Sequence, residues 1–171
     1  MNRYGIEIEV QNKPCLDPEF MPIHKFNESF LKTAKKPVSF AVERSGGQVA
    51  VCHTFLHGTE ERREADHYYA DRLVKSMLWM QGGFKVYVSG DEDIYEYLKT
   101  TYCSTGKRAF DADFMAGVYE HPFEVVLCDK VPEEKGASQA IGRHLGGCRV
   151  GFDAGGSDRK VSAVIDGEPV Y

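Results

Sequence analysis

The sequence predicts an α/β fold in which helices pack on a mixed, open sheet and a β-hairpin follows at the C-terminus. Over residues 1–130, period-2 and helical patterns follow one another in the order β, β-hairpin, α, β, α, β. A hairpin is antiparallel, whereas a strand–helix–strand unit is parallel, so the sheet combines both kinds of pairing. Residues 148–171 add two further strand-like segments around a glycine turn.

Alternation of apolar and polar side chains predicts the first strands. Residues 4–10 alternate and indicate an entry strand. Residues 38–42 and 49–55 also have strand character and flank a turn with two glycines, which is typical of a β-hairpin. Residues 11–36 contain three prolines, so we expect irregular chain there, with a short helix at residues 27–34.

A long helix is predicted over residues 60–81. Thr59 is its expected N-cap, acidic side chains occupy the first turn, and Gly82 and Gly83 end it. Its apolar stripe consists of Tyr69, Ala70, Leu73, Val74, Met77 and Leu78.

A second helix is predicted over residues 91–102, between strands at residues 84–88 and 123–128. The acidic residues 91–93 lie at the strand-to-helix edge where α/β sheets bind ligands. Three carboxylates there would repel a phosphate, and helix capping explains them. Residues 110–119 show no single period and are interpreted as a mixed region.

Composition divides the chain into two parts. Residues 129–147 combine charged side chains and glycines, which is typical of a linker. We therefore expect an α/β N-terminal accessory domain at residues 1–147, which includes that linker, and a separate structural element at residues 148–171.

Charge and cysteine content exclude several classes of protein. The 171 residues carry a formal net charge of −5 and show no basic stripe, so DNA binding by this chain is not expected. Five cysteines without a CxxC pair indicate reduced thiols. No apolar run is long enough for a signal peptide or a membrane span, so the sequence predicts a cytoplasmic protein that does not bind membranes.

Residues 153–157, Asp-Ala-Gly-Gly-Ser, carry the clearest chemical pattern. They join a strand at residues 150–153 to a strand at residues 160–165, after which an Asp-Gly turn leads to a third strand. Backbone N–H groups hold a phosphate chain only where no side chain blocks its approach, which Gly155 and Gly156 allow. The hydroxyl of Ser157 can also donate to a phosphate oxygen.

This segment resembles the first phosphate-binding hairpin of actin-like ATPase domains. It is most similar to that of the ROK family of repressors and kinases, whose pattern is Asp-x-Gly-Gly-Thr. The resemblance implies an N-terminal fragment of a NagC-like transcriptional regulator or sugar kinase. It also implies that Asp153, Gly155, Gly156 and Ser157 bind ATP, with Asp153 orienting a hydrated Mg²⁺ and Ser157 replacing the usual threonine.

Other parts of the ROK pattern are not found in these residues. A ROK kinase also needs a catalytic Asp, a Glu-x-Gly-His sugar motif with a zinc site, and a second phosphate loop. We therefore expect no catalysis and no cofactor in this fragment, with ATP, Mg²⁺, a sugar ligand and any ATP-dependent sugar kinase activity confined to the full-length protein. The helix-turn-helix of ROK repressors is not recognisable either.

A different class of function stays open: a self-contained, non-catalytic α/β binding or assembly domain with a structural C-terminal hairpin. The unpaired hairpin edge predicts that residues 150–170 either pack on the preceding domain or pair with a second copy in a homo-oligomer. His53 and His57 are interpreted as partly buried or surface histidines, because a strand does not bring them together on a metal. The aromatic residues of the two predicted helices, Trp79 among them, are expected in the core and at its rim.

Overall fold

The computed structural model describes residues 1–136 and 146–171. The chain forms two compact units, Met1–Gly136 and Ala137–Tyr171, and each is described by itself. The elements of the first unit are β1 (Asn2–Arg3), β2 (Ile6–Glu7), α1 (Ile23–Thr33), β3 (Lys36–Arg44), β4 (Gln48–Leu56), α2 (Arg63–Gln81), β5 (Lys85–Ser89), α3 (Glu92–Thr101), α4 (Ala109–Tyr119) and β6 (Glu124–Leu127). Those of the second unit are β7 (Cys148–Ala154), β8 (Arg159–Ile165) and β9 (Glu168–Pro169).

The first unit is built on a mixed sheet with the order β4-β3-β5-β6. Strand β3 pairs antiparallel with both β4 and β5, whereas β5 and β6 are parallel. The chain passes from β4 through α2 to β5, and from β5 through α3 and α4 to β6, always toward the same edge. Right-handed crossovers in one direction place these helices on one face of the sheet. The predicted α/β class with a mixed sheet is confirmed.

The core lies between that face and the helices. The inward side chains of the strands are fully buried: Val38, Phe40, Val42, Leu56, Val86 and Val88. Helix α2 buries the predicted stripe, except that Leu73 is only partly buried. Gly82, with φ of 75°, ends α2 as predicted.

Residues 129–136 cross the opposite face of the sheet. Ser89 Oγ donates a hydrogen bond to the Asp129 carbonyl oxygen at 2.7 Å. Lys135 then pairs with Val49 on the edge strand β4 through two backbone hydrogen bonds of 2.9 and 3.0 Å. Val131, between these points, is buried. The rest of the predicted linker up to residue 145 lies outside the described residues.

Three local predictions were wrong. Residues 4–10 are not one strand, because Tyr4 and Gly5 take positive φ values of 52° and 75° and form a turn between β1 and β2. Thr59 makes no side-chain cap, and a 3₁₀ turn at Glu60–Arg62 precedes α2 instead. The mixed region at residues 110–119 is the regular helix α4.

The second unit is an antiparallel sheet with the order β7-β8-β9. Pairing runs from Cys148↔Ile165 to Ala154↔Arg159. Asp166 and Gly167, with φ values of 49° and 88°, form the tight turn to β9, as predicted. No helix in the described part of the chain is long and apolar enough to cross a bilayer.

Candidate functional site

The glycine turn of the second unit is the site predicted from the sequence. Residues 155–158 connect β7 to β8, and Asp153 lies opposite Lys160 in the sheet. Lys160 Nζ is 3.8 Å from Asp153 Oδ2 and 3.3 Å from Asp158 Oδ2. The Asp153 side chain is 68% exposed, so its carboxylate stays accessible to a ligand beside the turn.

Gly155 and Gly156 serve the turn differently. A Cβ on Gly155 would lie 2.7 Å from Asp158 Oδ1 and 2.9 Å from the Asp158 carbonyl oxygen, so only glycine lets the turn close. A Cβ on Gly156 would have nothing within 4 Å, so its backbone is open. Ser157 is exposed, and its hydroxyl has no partner among the described residues. These features fit a phosphate group approaching from outside the turn.

The sheet of the second unit has one polar and one apolar face. Because neighbours on a strand point to opposite faces, Asp153 and Lys160 share one face, and Phe152 and Val161 share the other. Apolar side chains of that second face are widely exposed: Val150 76%, Phe152 65%, Val161 47% and Ile165 47%. The polar face ends in the glycine turn, and the apolar face is uncovered in the described structure.

Few protein side chains at this turn could bind Mg²⁺ directly. The described residues contain no group of three or more His, Cys, Asp or Glu side chains that could hold a metal ion. Mg²⁺ commonly binds through one or two carboxylates, phosphate oxygens and water. The exposed carboxylate of Asp153 fits that mode, provided that a phosphate chain supplies the other oxygens.

A polar cleft in the first unit lies at the carboxyl ends of β4 and β5. This cleft has a volume of about 420 Å³ and is lined by Lys36, Gly58, Thr59, Glu60, Arg63, Asp66, Asp91, Glu92, Asp93 and Ile94. Its acidic side chains outnumber its basic ones, so an anion is disfavoured. Among these acids, Asp91 has a structural role, because its carboxylate caps α3 at the Ile94 N–H (2.9 Å) and pairs with Lys36 Nζ (2.8 Å). The capping prediction is confirmed for Asp91.

Two further charged side chains of the cleft, Arg63 and Asp93, are paired with each other. Arg63 binds Asp93 through two hydrogen bonds, at 2.5 and 3.1 Å, and His67 Nε2 lies 2.7 Å from the same carboxylate. The Arg63 guanidinium, with a smaller contribution from His67, lowers the pKa of Asp93 against the opposing effect of burial. His67 stacks on Tyr97 with a ring distance of 4.0 Å. These contacts of Arg63 and His67 with Asp93 and Tyr97 therefore hold α2 against α3.

His57 lies in a hydrogen-bonded chain that joins three elements. Its Nδ1 is 2.9 Å from Asp66 Oδ1, and its Nε2 is 2.9 Å from Thr33 Oγ1. Asp66 also accepts the backbone N–H groups of His57 and Gly58. The Thr33 hydroxyl also donates a hydrogen bond to the Phe30 carbonyl oxygen of its own helix at 3.3 Å. This row of hydrogen bonds therefore links α1 to α2 and to the residue that follows β4. His53 pairs separately with Ser39.

Sequence reasoning missed a buried ionic network beneath α4. Asp71 has no solvent exposure and accepts two hydrogen bonds from Arg108, from Nε at 2.8 Å and Nη2 at 2.7 Å. Asp111, also buried, accepts from Trp79 Nε1 at 2.6 Å and pairs with Lys75 at 3.3 Å. A polar Asp71 inside the apolar stripe of α2 was the only available signal.

No family model, curated protein or solved structure matches this chain. The resemblance to ROK proteins therefore depends on residues 148–171 alone, and the geometry of the hairpin carries any functional conclusion.

Proposed function

We propose that residues 148–171 are the first phosphate-binding hairpin of an actin-like ATPase domain. On this proposal the chain is the N-terminal part of a ROK-family, NagC-like transcriptional regulator or sugar kinase. The observation that carries the proposal is the division of the hairpin into an uncovered apolar face and a polar face that ends in an open glycine turn.

The polar face supplies the groups that a nucleotide requires. Gly156 places no side chain over its own backbone, Ser157 offers a free hydroxyl, and Asp153 presents an exposed carboxylate. In this proposal the backbone and Ser157 hold phosphate oxygens while Asp153 orients the water shell of Mg²⁺. Lys160 compensates part of the charge of Asp153 and Asp158.

The apolar face supports a place inside a larger domain. A three-stranded sheet of this size gains independent stability only when a hydrophobic face is covered. In an actin-like domain, further strands and helices provide that cover. The sugar ligand would bind to residues outside this chain, and the whole protein would perform sugar-responsive regulation or sugar phosphorylation.

Nucleotide binding tests the proposal. Mg²⁺–ATP added to the product of the complete reading frame should raise its melting temperature by a few degrees at saturation, since a ligand that binds only the folded state stabilises it. Asp153→Asn should abolish the rise because the group that orients the metal is lost. Glu168→Gln is the matched control, since it removes one exposed acid from β9 of the same sheet.

Three results would oppose the proposal: no stabilisation of the wild type by Mg²⁺–ATP, an undiminished rise in Asp153→Asn, or an equal loss in Glu168→Gln. The first result favours the second candidate, a non-catalytic assembly domain. That candidate is supported by a separate surface on α4.

A further inference from the structure

Helices α2 and α4 present an exposed apolar surface on the first unit, which we name the α4 face. It consists of Trp79, Phe110, Phe114, Gly117 and Val118. Phe110 is 71% exposed, Val118 57%, Trp79 46% and Phe114 43%. Trp79, which was predicted in the core or at its rim, is half exposed and lies beside the buried Asp111.

Helix α4 is apolar on both sides, whereas a helix at the surface of a monomer typically carries polar residues on its outer side. Its inner side buries Ala112 and Met115 against the core. Its outer side repeats apolar positions at spacings of four, seven and eight residues from Phe110. Large aromatic side chains have about 150–250 Å² each, so at their observed exposures, and with Val118 added, the α4 face presents about 400 Å² of apolar surface, which is a large patch for a monomer.

The aromatic side chains of the α4 face are held in place before any partner binds. Trp79 is fixed by its hydrogen bond to the buried Asp111, and its ring packs on Phe114 at 5.2 Å. Phe110 and Phe114 stack at 5.9 Å. Side chains that are already ordered lose less conformational entropy on binding, which favours association.

Gly117 lies on the exposed outer side of α4. Glycine in a helix interior costs about 1 kcal/mol relative to alanine. A Cβ on Gly117 would meet nothing within 4 Å, so no intramolecular contact requires a glycine there. A gap of this kind on an exposed apolar helix suits the close approach of a second helix.

We propose that the α4 face binds the α4 face of a second copy of this chain in an antiparallel arrangement. The N-terminal half of the outer side carries the large residues Phe110 and Phe114, and the C-terminal half carries the small Gly117 and Val118. An antiparallel, two-fold arrangement places the large half of each copy on the small half of the other, as an isologous interface requires. A partner of another kind would not need this internal complementarity.

The size of the α4 face agrees with a dimer. A standard interface buries about 800 Å² per partner, with an apolar centre and a polar rim. An apolar centre of about 400 Å² leaves the remainder to polar residues at the edge of the face. The proposal is independent of nucleotide binding and of the hairpin edge, which was the surface that the sequence predicted for oligomers.

Sedimentation equilibrium of the 171-residue chain, in reducing buffer because Cys15 and Cys148 are exposed, tests the dimer. The wild type should dimerise below about 100 μM. Phe114→Lys should weaken the dimer at least about thirtyfold because a central aromatic anchor is lost. Phe55→Lys is the matched control, since Phe55 is 48% exposed on β4, outside the α4 face.

The variant Gly117→Leu distinguishes a specific, closely packed helix interface from non-specific association of an apolar surface. Leucine adds apolar area and improves helix propensity, so an adhesive surface would associate more strongly. At a close helix crossing, the same side chain would clash and dissociate the dimer. We expect a monomer whose melting temperature is unchanged or raised, which shows that the variant is folded.

Any of four results would overturn the proposal. These are a monomeric wild type, a dimer that persists in Phe114→Lys, a dimer that persists in Gly117→Leu, and dissociation by Val150→Lys but not by Phe114→Lys. The last result would assign association to the hairpin.

Discussion

The ion pair of Asp71 and Arg108 shows how a few residues hold the helical layer together. Asp71 is fully buried on α2, and Arg108 precedes α4. The hydrogen bonds to Asp71 raise the pKa of Arg108 above its ordinary value, and the negative charge of Asp71 adds to this effect. Burial of the guanidinium acts in the opposite direction but is the weaker effect. Removing Arg108 leaves the buried Asp71 carboxylate with only the exposed Lys107, whose Nζ is 3.5 Å away, and a poorly compensated buried charge costs more than the pair itself contributes.

Arg108→Met should therefore lower the free energy of unfolding by about 3 kcal/mol, measured by urea denaturation. Arg72→Met, on the partly exposed side of α2, is the control and should cost little. Adding Asp71→Asn to Arg108→Met should recover part of the loss, because no buried charge then remains unpaired. Equal stability of the single and the double variant would contradict this account.

Cys103 should be the most reactive of the three partly buried thiols. Hydrogen bonds from Thr105 lower its pKa, whereas burial raises the pKa values of Cys52 and Cys128. A lowered pKa means that more thiolate is present at a given pH, so alkylation by iodoacetamide should begin at lower pH for Cys103. Peptide mass spectrometry across pH 6–9, a range about the ordinary thiol pKa, measures this order.

Thr105→Val removes the hydroxyl and should move the Cys103 alkylation profile to higher pH. The profiles of Cys52 and Cys128 act as internal references and should stay unchanged. Faster alkylation of either reference thiol than of Cys103 at neutral pH would refute the assignment.

Secondary structure could be predicted from the sequence where a local pattern decides it. The stripe of α2, the β3–β4 hairpin and the turn at Asp166 and Gly167 all follow from periodicity or turn chemistry. Helix α4 could not be recognised because apolar residues on both sides erase its period. Asp71 and Arg108 are 37 positions apart, and only tertiary packing brings them together.

The α2–β5 connection depends on glycine for steric reasons. Gly83 has φ of 149°, and a Cβ there would lie 2.6 Å from the Glu43 carbonyl oxygen on β3. Gly83→Ala should thus cost about 2 kcal/mol or more, whereas Gly117→Ala should stabilise by about 0.5–1 kcal/mol. Thermal unfolding followed by circular dichroism, at a concentration too low for dimers, compares the two.

If Gly83→Ala and Gly117→Ala changed the stability equally, close packing around Gly83 would not determine the loss of stability in Gly83→Ala. The comparison is direct because both substitutions add one methyl group to a glycine. They differ in backbone φ and in the atoms that the methyl group meets.

At the scale of the whole molecule, the two units differ in how they are stabilised. Every buried apolar side chain in the described residues lies between Ile6 and Val131. The sheet of residues 148–171 has no buried core of its own. Stability of the chain therefore resides in Met1–Gly136, and the hairpin needs the covering layer that the proposed ATPase domain would supply.

A chain ending at Gly136 should consequently fold cooperatively, with a melting temperature within a few degrees of that of the whole chain. A chain ending at Cys128 should be less stable, because it loses the buried Val131, worth about 1.5–3 kcal/mol, and the pairing of Lys135 with Val49. Circular dichroism melts of the three chains measure the order. If the chain ending at Gly136 failed to fold, residues 137–171 would be required for the stability of the first unit. A hairpin that is required there could not be part of a separate nucleotide-binding domain.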